Sequence, residues 1–273
     1  IMRVVDYIAD ELINLGSNTW FVLTGNGSMY INDAIAKRPE ISTLSARNEA
    51  AAPMMAEGYS RLSGKLGVVC VTAGPGATNS IPGLAEAYWD SAPIIVLSGQ
   101  SPVSQVNKKV RSYGTAGFNV LPSVEKMTKY AVMIDDKNNV RYEFEKAVYL
   151  ALNGRPGPVW IDLPMDIQSA EIDPSSQNSY DPESGNSLDC QELINTKVQE
   201  VLKNLSNAKN PLILLGNGIR QSNSIDKCRE LIEFLEIPFI TSRFGKDLIP
   251  KNHNLNFGQP GLKGELYSPD IMG

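Results

Sequence analysis

The chain of 273 residues has one histidine and three cysteines, and both scarcities remove chemistry. Cys70, Cys190 and Cys228 are odd in number and far apart, so neither a disulfide framework nor a zinc knuckle fits. Free thiols point to a reducing compartment, and a cytoplasmic location is expected. His253, in the polar stretch Pro250-Lys-Asn-His-Asn254, cannot build a His-rich metal site alone. A Ser-His-Asp triad would want a nucleophile elbow, but no Gly-x-Ser-x-Gly occurs, and a surface loop is the plainer reading of His253. Long apolar runs are missing as well: no window approaches the roughly 18 residues of a membrane-spanning helix. No secretory signal is read at the start, where the first helix carries Asp6, Asp10 and Glu11. Positive charge is short, with 25 Lys and Arg against 30 Asp and Glu for a net charge of −5. The nearest thing to a basic cluster, Lys108-Lys109-Val110-Arg111, reads as a solvated loop, so nucleic acid is not an expected partner. Chemistry is left to carboxylates, backbone amides or a bound cofactor.

With 42% apolar and 20% charged residues the chain has ample material for buried cores, and its length suits about two domains. Val5, Ile8, Leu12 and Leu15 recur at helical spacing and stop at Gly16. Trp20–Leu23, Ile41–Leu44, Leu66–Thr72, Pro93–Leu97, Tyr130–Ile134 and Val159–Leu163 read as strands. Helices are expected over about 28–37, 48–62, 78–89 and 140–153. Strands that are apolar throughout, alternating with amphipathic helices, predict a doubly wound α/β domain: a parallel sheet with helices on both faces. Residues 173–189 are polar and rich in Pro, Ser and Gly, and read as a linker between domains 1–172 and 190–273. The second domain is a partial α/β unit, with a helix near 189–205, the strand Pro211–Leu215, a helix near 223–236 and the strand Pro238–Thr241. So small a parallel sheet, in a chain that begins with Ile, leads us to expect a piece of a longer polypeptide.

Four stretches carry the chemical signal. They are Arg47-Asn48-Glu49 leading into Ala56-Glu-Gly-Tyr-Ser-Arg61, then Thr72-Ala-Gly-Pro-Gly76-Ala-Thr-Asn79. Asp90-Ser-Ala-Pro93 through Gly99-Gln100 follows, and last Gly154-Arg-Pro-Gly-Pro158 with Asp162-Leu-Pro164. Taken singly, each has a bland reading. Glu49 sits where a strand passes into a helix, and an acid there is favoured by the helix dipole. Gly74-Pro75-Gly76 is a turn that lets backbone approach a flat ligand or simply joins strand to helix, with Asn79 as a local cap. Gly25-Asn26-Gly27 has the same dual reading, and no third glycine follows at the spacing a dinucleotide fold needs.

In order and spacing, the four stretches together resemble the pyrimidine-binding domain of thiamine-diphosphate enzymes of the acetolactate synthase group. Gly216-Asn217-Gly218, Phe244-Gly-Lys246 and Phe257-Gly-Gln-Pro-Gly261 resemble the start of that family's central domain. The resemblance implies thiamine diphosphate as cofactor and Glu49 as the catalytic carboxyl, hydrogen-bonded to N1′ of the pyrimidine. That bond favours the imino form of the cofactor's 4′-amino group, which takes the proton from C2. It places Gly25, Asn26, Gly27, Thr72, Gly74, Pro75, Gly76 and Asn79 around the pyrimidine, and Phe118 and Asn119 near the substrate. A flavin (FAD) at Gly216-Asn217-Gly218, as in some relatives, stays open beside a simple turn.

The resemblance further implies decarboxylation, carboligation or C–C cleavage of a small 2-oxo acid or related ketone. It implies a homodimer or homotetramer with the site at a subunit interface. The family holds Mg²⁺ and the diphosphate with a Gly-Asp-Gly motif in a third domain; this chain has none, so no metal ligand is expected in it. Several positions depart from the family pattern. Asn48 replaces a common histidine, Met165 a lysine, and Asn119 a glutamine, with extra residues around Val106 to Ser112. A non-catalytic binding or regulatory subunit that retains the fold is the alternative, and retention of Glu49 argues against it. An unrelated nucleotide-binding pair of domains would explain none of the first-domain motifs.

Overall fold

The structure, a computed structural model, describes residues 1–182 and 190–261. The chain divides into two compact units, Ile1–Ser184 and Gly185–Gly273. Residues 183–189, the end of the stretch read as a linker, lie outside the described residues, as do 262–273.

The first unit runs β1 (Met2–Arg3), α1 (Val4–Asn14), β2 (Thr19–Val22), α2 (Met29–Ala36), β3 (Ser42–Ser45), α3 (Ala51–Ser63) and β4 (Gly67–Val71). It continues with α4 (Pro75–Asn79), α5 (Ile81–Trp89), β5 (Ile94–Gln100), α6 (Leu121–Val124), β6 (Tyr130–Met133) and α7 (Val140–Leu152). β7 (Val159–Pro164), α8 (Met165–Ser169) and β8 (Glu171–Ile172) complete it. Six strands form one parallel sheet in the order β3-β2-β4-β5-β7-β6. This is the expected doubly wound α/β sheet.

Side-chain alternation along each strand explains the two layers of helices. Trp20, Val68, Cys70, Ile95, Leu97, Ile161 and Leu163 point to one face, where they pack with α1, α2 and α7 residues such as Ile8, Ile31 and Phe144. Phe21, Val69, Val71, Ile94, Val96 and Trp160 point to the other, against Ala52 and Ala56 of α3 and Leu84 and Ala87 of α5. Both faces are thereby buried, which is why the strand sequences are apolar without a break. The exception is β3, exposed at all four residues, which is a polar sheet edge.

Several elements differ from the sequence expectation. The helix expected over 78–89 is two, broken at Ser80, because Pro82 lacks an N–H and its ring would meet the carbonyl of Thr78. The strand expected to end at Leu97 runs on to Gln100, so Ser98 and Gln100 are buried in the sheet rather than in a loop. β1 and β8 form a short antiparallel pair that two-residue strands give no periodicity to reveal. Residues 174–180 are fastened to α7: Arg141 Nη1 donates to the Pro174 carbonyl (3.2 Å), Arg141 N to Gln177 Oε1 (2.9 Å), and Tyr180 N to Glu145 Oε2 (2.7 Å).

The second unit contains α9 (Cys190–Asn207), β9 (Ile213–Leu215), α10 (Gly218–Gln221), α11 (Ile225–Leu235) and β10 (Phe239–Thr241). β9 and β10 pair in parallel over a small core of Leu215, Ile232, Phe239, Leu248 and Ile249.

In the first unit β2 leads to β3 on one side, while β4 and β5 lie on the other. Ligands of open α/β sheets sit at such a switch point, outside the carboxyl ends of the strands. Here the loop after β2 is pressed against β5. A Cβ on Gly99 would stand 2.1 Å from the Gly27 carbonyl oxygen and 2.5 Å from Ser28 N. From elsewhere in the fold, Gln168 Nε2 donates to that same oxygen at 2.7 Å. Gly99→Ala should therefore force backbone apart and cost about 1–3 kcal/mol, read as a lowered urea midpoint. An unshifted midpoint would mean the two segments are not in contact.

Candidate active site

The carboxyl ends of β2, β3, β4, β5 and β7 surround one cleft of about 400 Å³, within the range of small-ligand sites. One wall is built by Asn26 and Gly27 after β2, Glu49 after β3, and Thr72, Pro75 and Gly76 after β4. The opposite wall is Ser101, Pro102 and Gln105 after β5, Thr115 and Ala116 from the same loop, and Met165 after β7.

Glu49 lies in the turn before α3 and is half-buried. Asn48 Oδ1 accepts from Ala51 N at 3.0 Å, which satisfies a first-turn amide of that helix. Asn79 Nδ2 donates to Glu49 Oε2 at 2.7 Å, so Asn79 holds the carboxylate instead of capping its own helix. The other oxygen, Oε1, lies above Gly76, 3.5 Å from where a Cβ would stand. One carboxylate oxygen is thus tied and the other lies on the cleft wall. Thr72 joins the two glycine turns: its Oγ1 accepts from Gly27 N at 3.0 Å. A Cβ on Gly25 or Gly76 would strike the Thr72 side chain at 2.5 and 2.7 Å. Gly74 has φ +59°, and a Cβ there would lie 2.1 Å from the Ala116 carbonyl, so only glycine closes the β4 turn against the opposite wall.

Behind the cleft lies a polar cluster whose wiring sequence reasoning missed. Asp162 in β7 is fully buried and stands in register with Ser98 of β5. Ser98 Oγ donates to Asp162 Oδ1 (2.6 Å) and accepts from Trp160 Nε1 (2.8 Å). Gln100 Nε2 donates to Asp162 Oδ2 (2.9 Å) and to the Phe118 carbonyl (2.9 Å), while Gln100 Oε1 accepts from Ser101 N (2.9 Å). Each donor has one acceptor when Asp162 is ionised. Burial nonetheless pushes the Asp162 carboxyl up to about 7, against the pull of Ser98, Gln100 and the charge of Lys108. The signal available in the sequence was the pair of polar residues, Ser98 and Gln100, inside an otherwise apolar strand.

Of the residues expected around the ligand, Gly25, Asn26, Gly27, Glu49, Thr72, Gly74, Pro75, Gly76 and Asn79 come together here. Phe118 and Asn119 do not line the cleft. Phe118 packs against the core on the α3–α5 face, and its carbonyl is taken by Gln100. Thr115 and Ala116 stand at the wall instead. In the second unit, Gly216-Asn217-Gly218 begins the four-residue α10, and its carbonyls accept from Ile219 N, Arg220 N and Gln221 N as in a turn. His253 is bonded to Glu233 through Nε2 at 3.0 Å. Among the described residues no group of three or more His, Cys, Asp or Glu is placed to hold a metal ion, and no helix is long and apolar enough to cross a membrane.

A doubly wound domain with a carboxylate and two glycine turns at its switch point is the form of a cofactor-binding domain. Residues 2–123 match the thiamine pyrophosphate enzyme N-terminal TPP binding domain, and residues 198–272 match the thiamine pyrophosphate enzyme central domain. The chain belongs to the thiamine pyrophosphate enzymes and carries these two of their domains. It is 37% identical over 262 residues to the acetolactate synthase large subunit of Lactococcus lactis, covering 94% of this chain and 44% of the relative. It is 33% identical over 274 residues to the large subunit of Buchnera aphidicola from Acyrthosiphon pisum, covering 97% and 46%. To the chloroplastic acetolactate synthase of Arabidopsis thaliana it is 31% identical over 266 residues, covering 96% and 38%. The chain thus spans less than half the length of these relatives.

The chemistry of the cleft wall suits the thiamine pyrophosphate that this domain family binds. Glycine turns bring bare backbone to the wall, and the carboxylate is the one ionisable side chain on it.

Asp162 supplies a pH test. Its folded pKa lies above the unfolded value of 3.8, so its contribution to stability is fully present below about pH 4 and lost as pH rises through about 7. Asp162→Asn lacks that titration and sets a donor against Gln100. The variant should be the less stable form at pH 5, with the gap narrowing by up to about 2.5 kcal/mol by pH 8. Urea denaturation at both pH values reads the gap. A gap independent of pH would mean that Asp162 titrates as an ordinary carboxylate.

Proposed function

We propose that this chain supplies the pyrimidine half of a thiamine-diphosphate site in an acetolactate synthase-like enzyme. The parent reaction is decarboxylation and carboligation, or C–C cleavage, of a small 2-oxo acid or related ketone. The observation that carries this reading is Glu49, held by Asn79 on the wall of a cleft closed by the Gly25–Gly27 and Gly74–Gly76 turns.

When bound, thiamine diphosphate supplies the electron sink for carbanion chemistry at the substrate carbonyl. The residues of this chain do the binding and the proton placement. Glu49 shares a proton with N1′ of the pyrimidine, and the Asn79 bond sets which carboxylate oxygen stays available. Asn26, Gly27, Thr72, Pro75 and Gly76 would form the wall against the pyrimidine, with Gly25 and Gly74 permitting the close packing of the turns that carry them. Met165, Thr115 and Ala116 border the space left for substrate.

Mg²⁺ and the diphosphate are assigned to a domain outside these 273 residues, in keeping with the length of the relatives. A homodimer or homotetramer with the cleft at a subunit interface is part of the reading. It is supported by Leu62 of α3 and Trp89 of α5, which stand 88% and 72% exposed. Flavin is left out, because the bonds at Gly216-Asn217-Gly218 are accounted for by a turn. The free thiols Cys70 and Cys228 support a reducing compartment. The arrangement around Glu49 favours catalysis over a non-catalytic binding subunit, which has no need of an oriented carboxylate.

Glu49→Gln keeps the size of the side chain and an acceptor for Asn79 but cannot share a proton. In the holoenzyme it should slow hydrogen–deuterium exchange at C2 of the cofactor by about 10²-fold or more, while thiamine diphosphate still binds. Exchange at the wild-type rate would overturn the role of Glu49.

A further inference from the structure

The loop that completes the cleft also carries the one basic stretch that the sequence singled out. It leaves the sheet after Gln100, and both of its ends are built into the cleft wall, Gln105 going out and Thr115 and Ala116 coming back. A neck fixes them. Tyr113 and Gly117 exchange two backbone hydrogen bonds, at 3.0 and 2.7 Å. Gly114, at φ +55°, sits so close that a Cβ would be 2.4 Å from Ser101 Oγ and 2.7 Å from Gln105 Oε1. Beyond the neck the chain turns at Asn107, whose carbonyl accepts from Val110 N (3.2 Å) and whose Oδ1 accepts from Lys109 N (3.0 Å). Lys108, Lys109 and Arg111 are therefore carried at the tip of a loop rooted in the site.

Three observations give those charges a role other than solvation. All three side chains are exposed, and among the described residues none makes a hydrogen bond or ion pair. Arg3, Arg38 and Arg141 in the same unit are each paired with carboxylates. Lys108 stands near enough to Asp162, buried behind the cleft, for its charge to favour the ionised carboxylate. The cleft itself offers no cation: Glu49 is its one ionisable wall residue, and Met165 stands where the family resemblance puts lysine.

We propose that Lys108, Lys109 and Arg111 form a cationic rim that selects a substrate with a second anionic group, a phosphate or a carboxylate, beyond its reacting carbonyl. The proposal rests on reading the cleft as the substrate site. Exposed charges within a Debye length of about 8–10 Å act on a bound anion and on its approach, so their effect falls on KM and fades with salt.

The test compares wild-type holoenzyme with K108Q/K109Q/R111Q on three 2-oxo acids: pyruvate, 2-oxoglutarate and 3-phosphonopyruvate. The variant should lose at least tenfold in kcat/KM on one of the two dianions, through KM, and at least five times more than it loses on pyruvate. The dianion that loses more tells carboxylate from phosphate. Raising ionic strength should erase the difference between the proteins. Equal losses on all three substrates would overturn the proposal.

Calorimetric titration with inorganic phosphate and with glutarate separates this from the cofactor reading. Wild type should bind one of them and the triple variant should not, whereas K126Q/K137Q, exposed cations elsewhere in the unit, should bind as wild type does. Absence of binding by wild type would overturn the rim even if thiamine diphosphate binds. Failure to bind thiamine diphosphate would remove the cofactor reading while the titration still decides the rim.

Discussion

A parallel sheet whose strands are apolar on both sides has to be covered on both sides, and that requirement decides where chemistry sits in this chain. α1, α2 and α7 take one face, α3 and α5 the other, so neither face is open to a ligand. What stays accessible is the row of loops at the strand ends. Among these, the carboxyl ends of β2 and β4 are special, because β3 lies to one side of them and β5 to the other. The loops there diverge and leave a crevice. Glu49 and the glycine turns occupy that crevice as a consequence of strand order.

Holding such a site open while packing it tightly needs backbone to touch backbone. The Gly27 carbonyl is wedged against Gly99 and caught by Gln168 Nε2. Gly74 is wedged in the same way against the Ala116 carbonyl. At both contacts a single methyl group would exceed the space by more than an ångström of ordinary separation. Rigidity is needed because one hydrogen bond from Asn79 can orient the Glu49 carboxylate only if the turns after β3 and β4 do not drift. Thr72 contributes by tying the turn after β4 to the turn after β2.

The legible part of the sequence was the part governed by periodicity or by glycine. Six strands and their partner helices followed from apolar runs and helical spacing. Gly25, Gly27, Gly74 and Gly76 stood out because no other residue permits such approaches, and Glu49 stood out by its place among them. The misses have equally physical causes. Ser98 and Gln100 look like turn residues until Asp162 is brought opposite them, and that pairing joins positions about sixty apart in sequence. Proline's missing donor split one expected helix at Ser80. Phe118 was expected at the substrate, yet Gln100 claims its carbonyl and the α3–α5 core claims its ring, which moves the wall back to Thr115 and Ala116.

Asp162 connects these layers. A carboxylate with no water around it is costly, and its raised pKa records the cost. Deleting the group is no remedy, because Ser98 Oγ and one N–H of the Gln100 amide would then be buried donors without an acceptor. Gln100 has no freedom to turn its amide over, since its oxygen is held by Ser101 N and its nitrogen by the Phe118 carbonyl. The same side chain therefore fixes where the loop after β5 departs and where it returns. That loop contributes Gln105, Thr115 and Ala116 to the cleft and carries Lys108 at its tip. The charge of Lys108 in turn eases the burial of Asp162. The buried cluster thus places the loop whose residues close the cleft, so the support of the site and one of its walls hang on the Gln100 side chain.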